Sequence, residues 1–236
     1  MDRNHKNIIA VSITRITGDS RTKERDFLAG DEKWAIVANG EMIAGLNCLP
    51  SDLAQLAAGH LFGLGKLRQA DEILKMDIDG EAKKINVELN PDASPDRPPD
   101  EDDITLAVSD IRRLQSEFYE RCELFRRTGA VHSVALADKD GILVSFEDVA
   151  RHNALDKVIG EMVLRGMSPS GKAFIFSGRL SSDMLQKVCA IGVKLLIAPS
   201  APTAAGVRMA RENGITLLGF VRKDNMNIYS HEHRVT

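Results

Sequence analysis

Apolar and polar residues alternate roughly with period two through IIAVSITRI, residues 8–16, which predicts a strand. WAIVANGEMIAGLNC holds two more strand-like runs around Asn39-Gly40, the pair best suited to a type I′ hairpin turn. In SDLAQLAAGHLFGLG the period changes. Leu53, Leu56, Ala57, His60 or Leu61, and Leu64 form a helical stripe behind Ser51, a good N-cap. EILKMDIDGEAKKINVEL reads as a second hairpin, turning at Asp79-Gly80. PDASPDRPPDEDD, residues 91–103, sets Pro91, Pro95, Pro98 and Pro99 among acidic groups and is expected to be an exposed connection.

Beyond it, SDIRRLQSEFYERCELFRRTG places Ile111, Leu114, Phe118, Cys122 and Phe125 on one helical face, with Gly129 as the stop. VHSVALADKDGILVSFED is a hairpin around Asp140-Gly141, and from there helices and strands alternate. The near-continuous apolar runs 173–176 and 193–198 suit strands covered on both faces, as in a parallel sheet with right-handed crossovers. The organisation expected is therefore α/β. Residues 1–90 make a smaller β-rich subdomain with one helix, 91–108 an acidic proline-rich linker, and 109–236 a three-layer α/β domain.

Composition narrows the function classes. The chain has 236 residues, 43% hydrophobic and 28% charged, with a formal net charge of −3, so no basic bias points to nucleic acid or an anionic membrane. The N-terminal residues lack a signal pattern, and no apolar run approaches a membrane span. Cys48, Cys122 and Cys189 are scattered and odd in number, which predicts a reduced cytoplasmic setting with neither a disulfide framework nor a zinc cluster.

Two strand-to-helix junctions suit anions. FSGRLSSD offers Gly178, Arg179 and Ser181 or Ser182, and APSAPTAAG offers Ser200 and Thr203, each at a helix start. Plain capping is the competing reading, but adjacent crossovers would put both loops on one sheet edge. VARHNALDK, residues 149–157, concentrates Arg151, His152, Asn153, Asp156 and Lys157 in one helix-forming stretch. His152 and Asp156 share a face, and a cationic first turn runs against the helix dipole. His132 opens a strand-like run. Cys122 and Cys189 read as buried, inert thiols. GHLFGLGK has the wrong glycine spacing for a phosphate loop, and HEH at 231–233 is a weak metal signal.

Several stretches together resemble the FdhD/NarQ family of formate dehydrogenase accessory proteins. They are VANGEMIAGLNCLPSDLAQLAAGHLF, TGAVHSVAL, EDVARHNALDKVIG, FSGRLSSDMLQKVCAIGV, SAPTAAGVRMARENGITLLGF and NIYSH, in family order over nearly the whole chain. The resemblance implies a cytidine-deaminase-like C-terminal domain. The deaminase zinc signature H-x-E with P-C-x-x-C is absent, so no zinc is expected. It also implies sulfur-carrier activity. A persulfide is taken from a cysteine desulfurase, and its sulfur passes to the bis-molybdopterin guanine dinucleotide molybdenum cofactor destined for formate dehydrogenase. In the family that thiol belongs to a C-x-x-C loop. The corresponding stretch here, residues 91 to about 111, contains no cysteine, which leaves the catalytic residue unassigned.

By the same resemblance the guanine-dinucleotide segment is Phe220, Val221, Arg222, Lys223, Asp224 and Asn225, with His132, Arg151, His152, Ser177 and Arg179 in a ligand-facing wall. A homodimer is implied as well. Two readings stand: a maturation factor that binds the cofactor, or a non-catalytic nucleotide-binding or regulatory module on the same scaffold. A nucleotide deaminase or hydrolase ranks last.

Overall fold

The computed structural model describes residues 7–90 and 104–236; the acidic connection expected at 91–103 lies outside them. Strands β1 (Ile8–Thr17) and β2 (Ser20–Ala29) pair antiparallel along their whole length as a separate two-stranded ribbon. The hydrophobic pattern does not mark β2. SRTKERDFLA is polar along most of its length and is a strand because it pairs with β1.

A second sheet has the order β4-β3-β6-β5, from β3 (Glu32–Ala38), β4 (Glu41–Cys48), β5 (Ile73–Asp79) and β6 (Lys84–Leu89). Asn39 (φ 49°) and Gly40 (φ 80°) take the two left-handed places of the expected turn. The Asp79 carboxylate accepts the Glu81 and Ala82 N–H groups to start the second turn.

The third sheet has six strands in the order β12-β11-β10-β9-β7-β8. These are β7 (His132–Ala137), β8 (Ile142–Asp148), β9 (Ala173–Phe176), β10 (Leu195–Ile197), β11 (Thr216–Gly219) and β12 (Asn227–Ser230). β9, β10 and β11 are mutually parallel, whereas β7 and β12 run against them. Successive residues serve opposite faces. Val134, Leu136, Phe174, Phe176, Leu196 and Leu217 join the larger core, and Ala135, Ala137, Ile175, Leu195, Ile197 and Leu218 join a second one. The second core is closed by α2 (Val108–Arg121), the larger by α4 (Arg151–Leu164), α5 (Ser182–Ile191) and α6 (Ala204–Glu212).

The larger core is shared. α1 (Leu53–Gly63) lies between the four-stranded sheet and α4, and it crosses α4 backbone to backbone. A Cβ on Gly59 would meet the Asp156 carbonyl oxygen at 1.8 Å, and one on Gly160 would meet that of Gln55 at 1.9 Å. α1 is accordingly buried well beyond the single predicted stripe, with Ala58, Gly59 and Phe62 inside, while Leu64 is 53% exposed.

Two local expectations are corrected. Ser51 does not cap α1. Asp52 holds that place in a left-handed conformation, φ 53°, and the Ser51 hydroxyl accepts a hydrogen bond from Asn7. The helix expected up to Gly129 breaks at Cys122, where ψ is 65°, and resumes as α3 (Glu123–Thr128), so Phe125 turns outward at 46% exposure. Glu147 stabilises the restart by accepting the Leu124 and Phe125 N–H groups. Within residues 104–107, Ile104 and Leu106 are buried, and Leu106 bridges Val235.

Candidate functional site

Topology gathers the predicted residues. β9, β10 and β11 end at the same sheet edge, which is also where antiparallel β7 begins and β8 ends, since His132 pairs with Asp148. Ser177 and Arg179 follow β9, Ser200 follows β10, Phe220–Asn225 follow β11, and Arg151 opens α4 after β8. Strand spacing puts the β7 and β11 ends about 14 Å apart, a span that a dinucleotide can bridge.

A pocket of about 430 Å³ opens at this edge, between the α2–α3 break and the ends of β7 and β9. Tyr119, Cys122 and Phe125 form one wall; His132, Ser177 and Gly178 form the other. Ser177 is fixed by accepting the Ser133 N–H at 2.9 Å. His132 lies against the Gly178 backbone, where a Cβ would come within 3.3 Å of its Nδ1. Burial and the Arg151 guanidinium lower the His132 pKa, so its imidazole is neutral near pH 7 and offers one donor and one acceptor. At the rim, burial and the neighbouring Cys122 raise the Tyr119 phenol pKa, and the Arg222 cation opposes the rise.

The remaining predicted residues divide. Arg151 is half-buried, and its Nε is buried without a hydrogen-bond partner. His152 sits among α5 charges: burial lowers its pKa, Arg151 and Lys187 add to that, and Asp156 and Asp183 oppose. Val221 is fully buried in the second core. Phe220, left-handed at φ 52°, is 39% exposed; Arg222, Lys223, Asp224 and Asn225 of the same turn are exposed, as is Arg179 in the loop after β9. The Ser181 and Ser200 hydroxyls, at the two junctions read as anion loops, are buried and lack hydrogen-bond partners. With Arg151 Nε they are the kind of unmet polar groups that a bound anion satisfies.

Within the polar stretch Arg151–Lys157, Asn153, Asp156 and Lys157 are turned to partners inside the protein. Lys157 is fully buried, 2.8 Å from Asp148. Asp148 also accepts the N–H groups of Leu49 and Ala150 and the Asn153 amide, which in turn donates to Asn47 O. Asp156, likewise buried, meets His60 of α1 and Lys187 of α5. These ions fasten the two halves together. Sequence reading missed this clamp and the pocket wall of Tyr119 and Phe125; the signal for the wall is a helix break that the hydrophobic stripe conceals.

No cysteine offers an exposed thiolate. Burial pushes the Cys48 thiol up to about 12 and the Cys122 thiol up to about 11, and burial also raises the Cys189 pKa. Cys122 donates its S–H to Phe118 O. Among the described residues no cluster of His, Cys, Asp or Glu is placed to hold a metal ion, and no helix is long and apolar enough to cross a membrane.

Known proteins are similar to this chain. The sulfur carrier protein FdhD of Shouchella clausii (strain KSM-K16) is 34% identical over 240 residues, covering 89% of this chain and 90% of its own. The protein of the same name in Bacillus subtilis (strain 168) is 32% identical, over 91% and 92%. A crystal structure assigned to a formate dehydrogenase accessory protein from Desulfotalea psychrophila matches with a TM-score of 0.87 at 28% identity, over 97% of this chain and 99% of that one. The FdhD/NarQ family profile matches residues 90–236, and with relatives aligned over nearly their whole length this chain belongs to the FdhD/NarQ family.

Proposed function

We propose that this chain is a formate dehydrogenase maturation factor that holds the bis-molybdopterin guanine dinucleotide molybdenum cofactor as cargo at the carboxyl edge of the six-stranded sheet. One observation carries the reading. Three buried polar atoms without partners, Arg151 Nε, Ser181 Oγ and Ser200 Oγ, belong to the same edge as the His132–Ser177 pocket and the cationic turn at Arg222. A pyrophosphate would satisfy these groups, aided by the N-termini of α5 and α6, and the Tyr119–Phe125 wall supplies an apolar face for a ring. His132 would orient the cargo as a neutral hydrogen-bonding group, and Ser177 would keep that histidine's strand in register. The cofactor brings its own metal chemistry; the chain's part is to bind and present it.

Relatives bear the name sulfur carrier protein, and the proposal extends to formate dehydrogenase and a cysteine desulfurase as partners. The transfer step is the weaker half. A persulfide carrier needs a reachable, low-pKa thiol, and Cys48 and Cys122 are buried with raised values. That observation favours a second reading, a cofactor-binding or regulatory member that leaves sulfur transfer to another protein. Calorimetric titration with GDP tests the shared claim: saturable heat is expected, and no heat at millimolar GDP rejects it. Incubation with a desulfurase and labelled cysteine separates the readings, since label retained on Cys122 or Cys189 would restore the transfer step to this chain.

A further inference from the structure

The β1–β2 ribbon has two unlike faces. Directly paired residues share a face, so Val11 with Asp26 and Ile13 with Glu24 lie on one side. On that side Arg15 neutralises the acids, through its pair with Glu24 and a 4.0 Å approach to Asp26. The other side carries the pairs Ser12–Arg25, Thr14–Lys23 and Ile16–Arg21. All six of these residues are exposed, and none of the three cations forms a described ion pair. Alternate residues of a strand stand about 7 Å apart, so the cations form a straight row.

The basic face continues into the body of the protein. Phe27, one step nearer the ribbon base, packs under the Arg127 guanidinium of α3 at 5.1 Å, and Ile8 and Ala29 anchor that base on Leu124 and Val131. Val131 and Phe125 of the same segment line the pocket. A two-stranded ribbon is marginal alone in water, and this one leaves a cationic face unpaired beside the site.

We propose that the basic face of the β1–β2 ribbon docks an acidic protein surface and so brings that partner over the pocket. The cations are interleaved with Phe27 and Ile16, a mixture of apolar and charged contacts typical of protein interfaces, and the chain's net charge of −3 disfavours a long polyanion. The choice of formate dehydrogenase as first partner rests on the proposed function; the acidic chemistry of the partner does not.

The test compares the intact chain with a triple variant, Arg21→Glu, Lys23→Glu and Arg25→Glu, after circular dichroism confirms equal folding. Binding to purified apo-formate dehydrogenase and to immobilised polyglutamate is measured at low and high salt. The expected result is tighter binding at low salt and a loss of about tenfold or more in the variant, mainly in association rate, with GDP binding unchanged. Binding to the enzyme that the variant retains in full overturns the inference while leaving the proposed function standing. Ribbon-dependent binding to polyglutamate without any to the enzyme does the reverse. Binding to neither probe, preferential binding to duplex DNA, or conversion of a dimer into a monomer by the triple change each rejects the proposal.

Discussion

His132 and His152 are both held below the ordinary histidine pKa of 6.5, first by burial and then by Arg151. A histidine depressed in the folded state stabilises the fold above its unfolded pKa, and that contribution is lost as pH falls through the lower folded value. The melting temperature is therefore expected to hold from pH 8 to 7 and to fall below about pH 6.5. The His132→Asn, His152→Asn double variant should blunt that fall in a calorimetric pH series; an unchanged slope would refute the assignment. The thiols give a second check. With Cys122 raised to about 11 and Cys48 to about 12, only about one thiolate in a thousand or fewer exists at pH 8 for these two. A disulfide reagent should modify them orders of magnitude more slowly in the native chain than in urea, and fast stoichiometric labelling of Cys122 would contradict its burial. At this scale the sequence singled out VARHNALDK as a polar cluster but not the partners that hold it. Asn153, Asp156 and Lys157 are clamp residues: Lys157 pairs with Asp148, whereas Asn153 donates to Asn47 O and Asp156 meets His60 and Lys187, all distant in the chain. No local pattern announces such partners.

Helices α1 and α4 depend on two glycines that a secondary-structure reading counts as blemishes. Gly59, part of a glycine-rich stretch that superficially suggests a phosphate loop, and Gly160 let the two backbones touch. Gly59→Ala or Gly160→Ala should each cost about 3 kcal/mol or more in urea unfolding, because the added methyl meets a carbonyl rather than a yielding side chain. A loss below about 1 kcal/mol would mean that the crossing is looser than described. Hairpins at Asn39-Gly40 and Asp140-Gly141 and the β9–β11 alternation were legible, since turn chemistry and apolar runs are local. Strand β2 and the break at Cys122 were not. The first is polar along most of its length, and the second retains a helical apolar spacing across a backbone that leaves the helix.

For the whole molecule, the shared core predicts a single unfolding event. Trp34, the sole tryptophan and buried in the four-stranded sheet, reports the N-terminal part, whereas helical circular dichroism comes mostly from the C-terminal part. The two signals should change at the same urea concentration, and separate midpoints would show that the halves fold independently. Such coupling changes what the acidic stretch between Asn90 and Ile104 means. In the gene it looks like a seam where modules were stitched. Yet α1 is wedged against α4, and Asp148 reaches across to Leu49, so neither product of a split gene would be self-sufficient. Lineages that carry this protein should inherit both portions as one cistron, or as two whose products meet before either is competent.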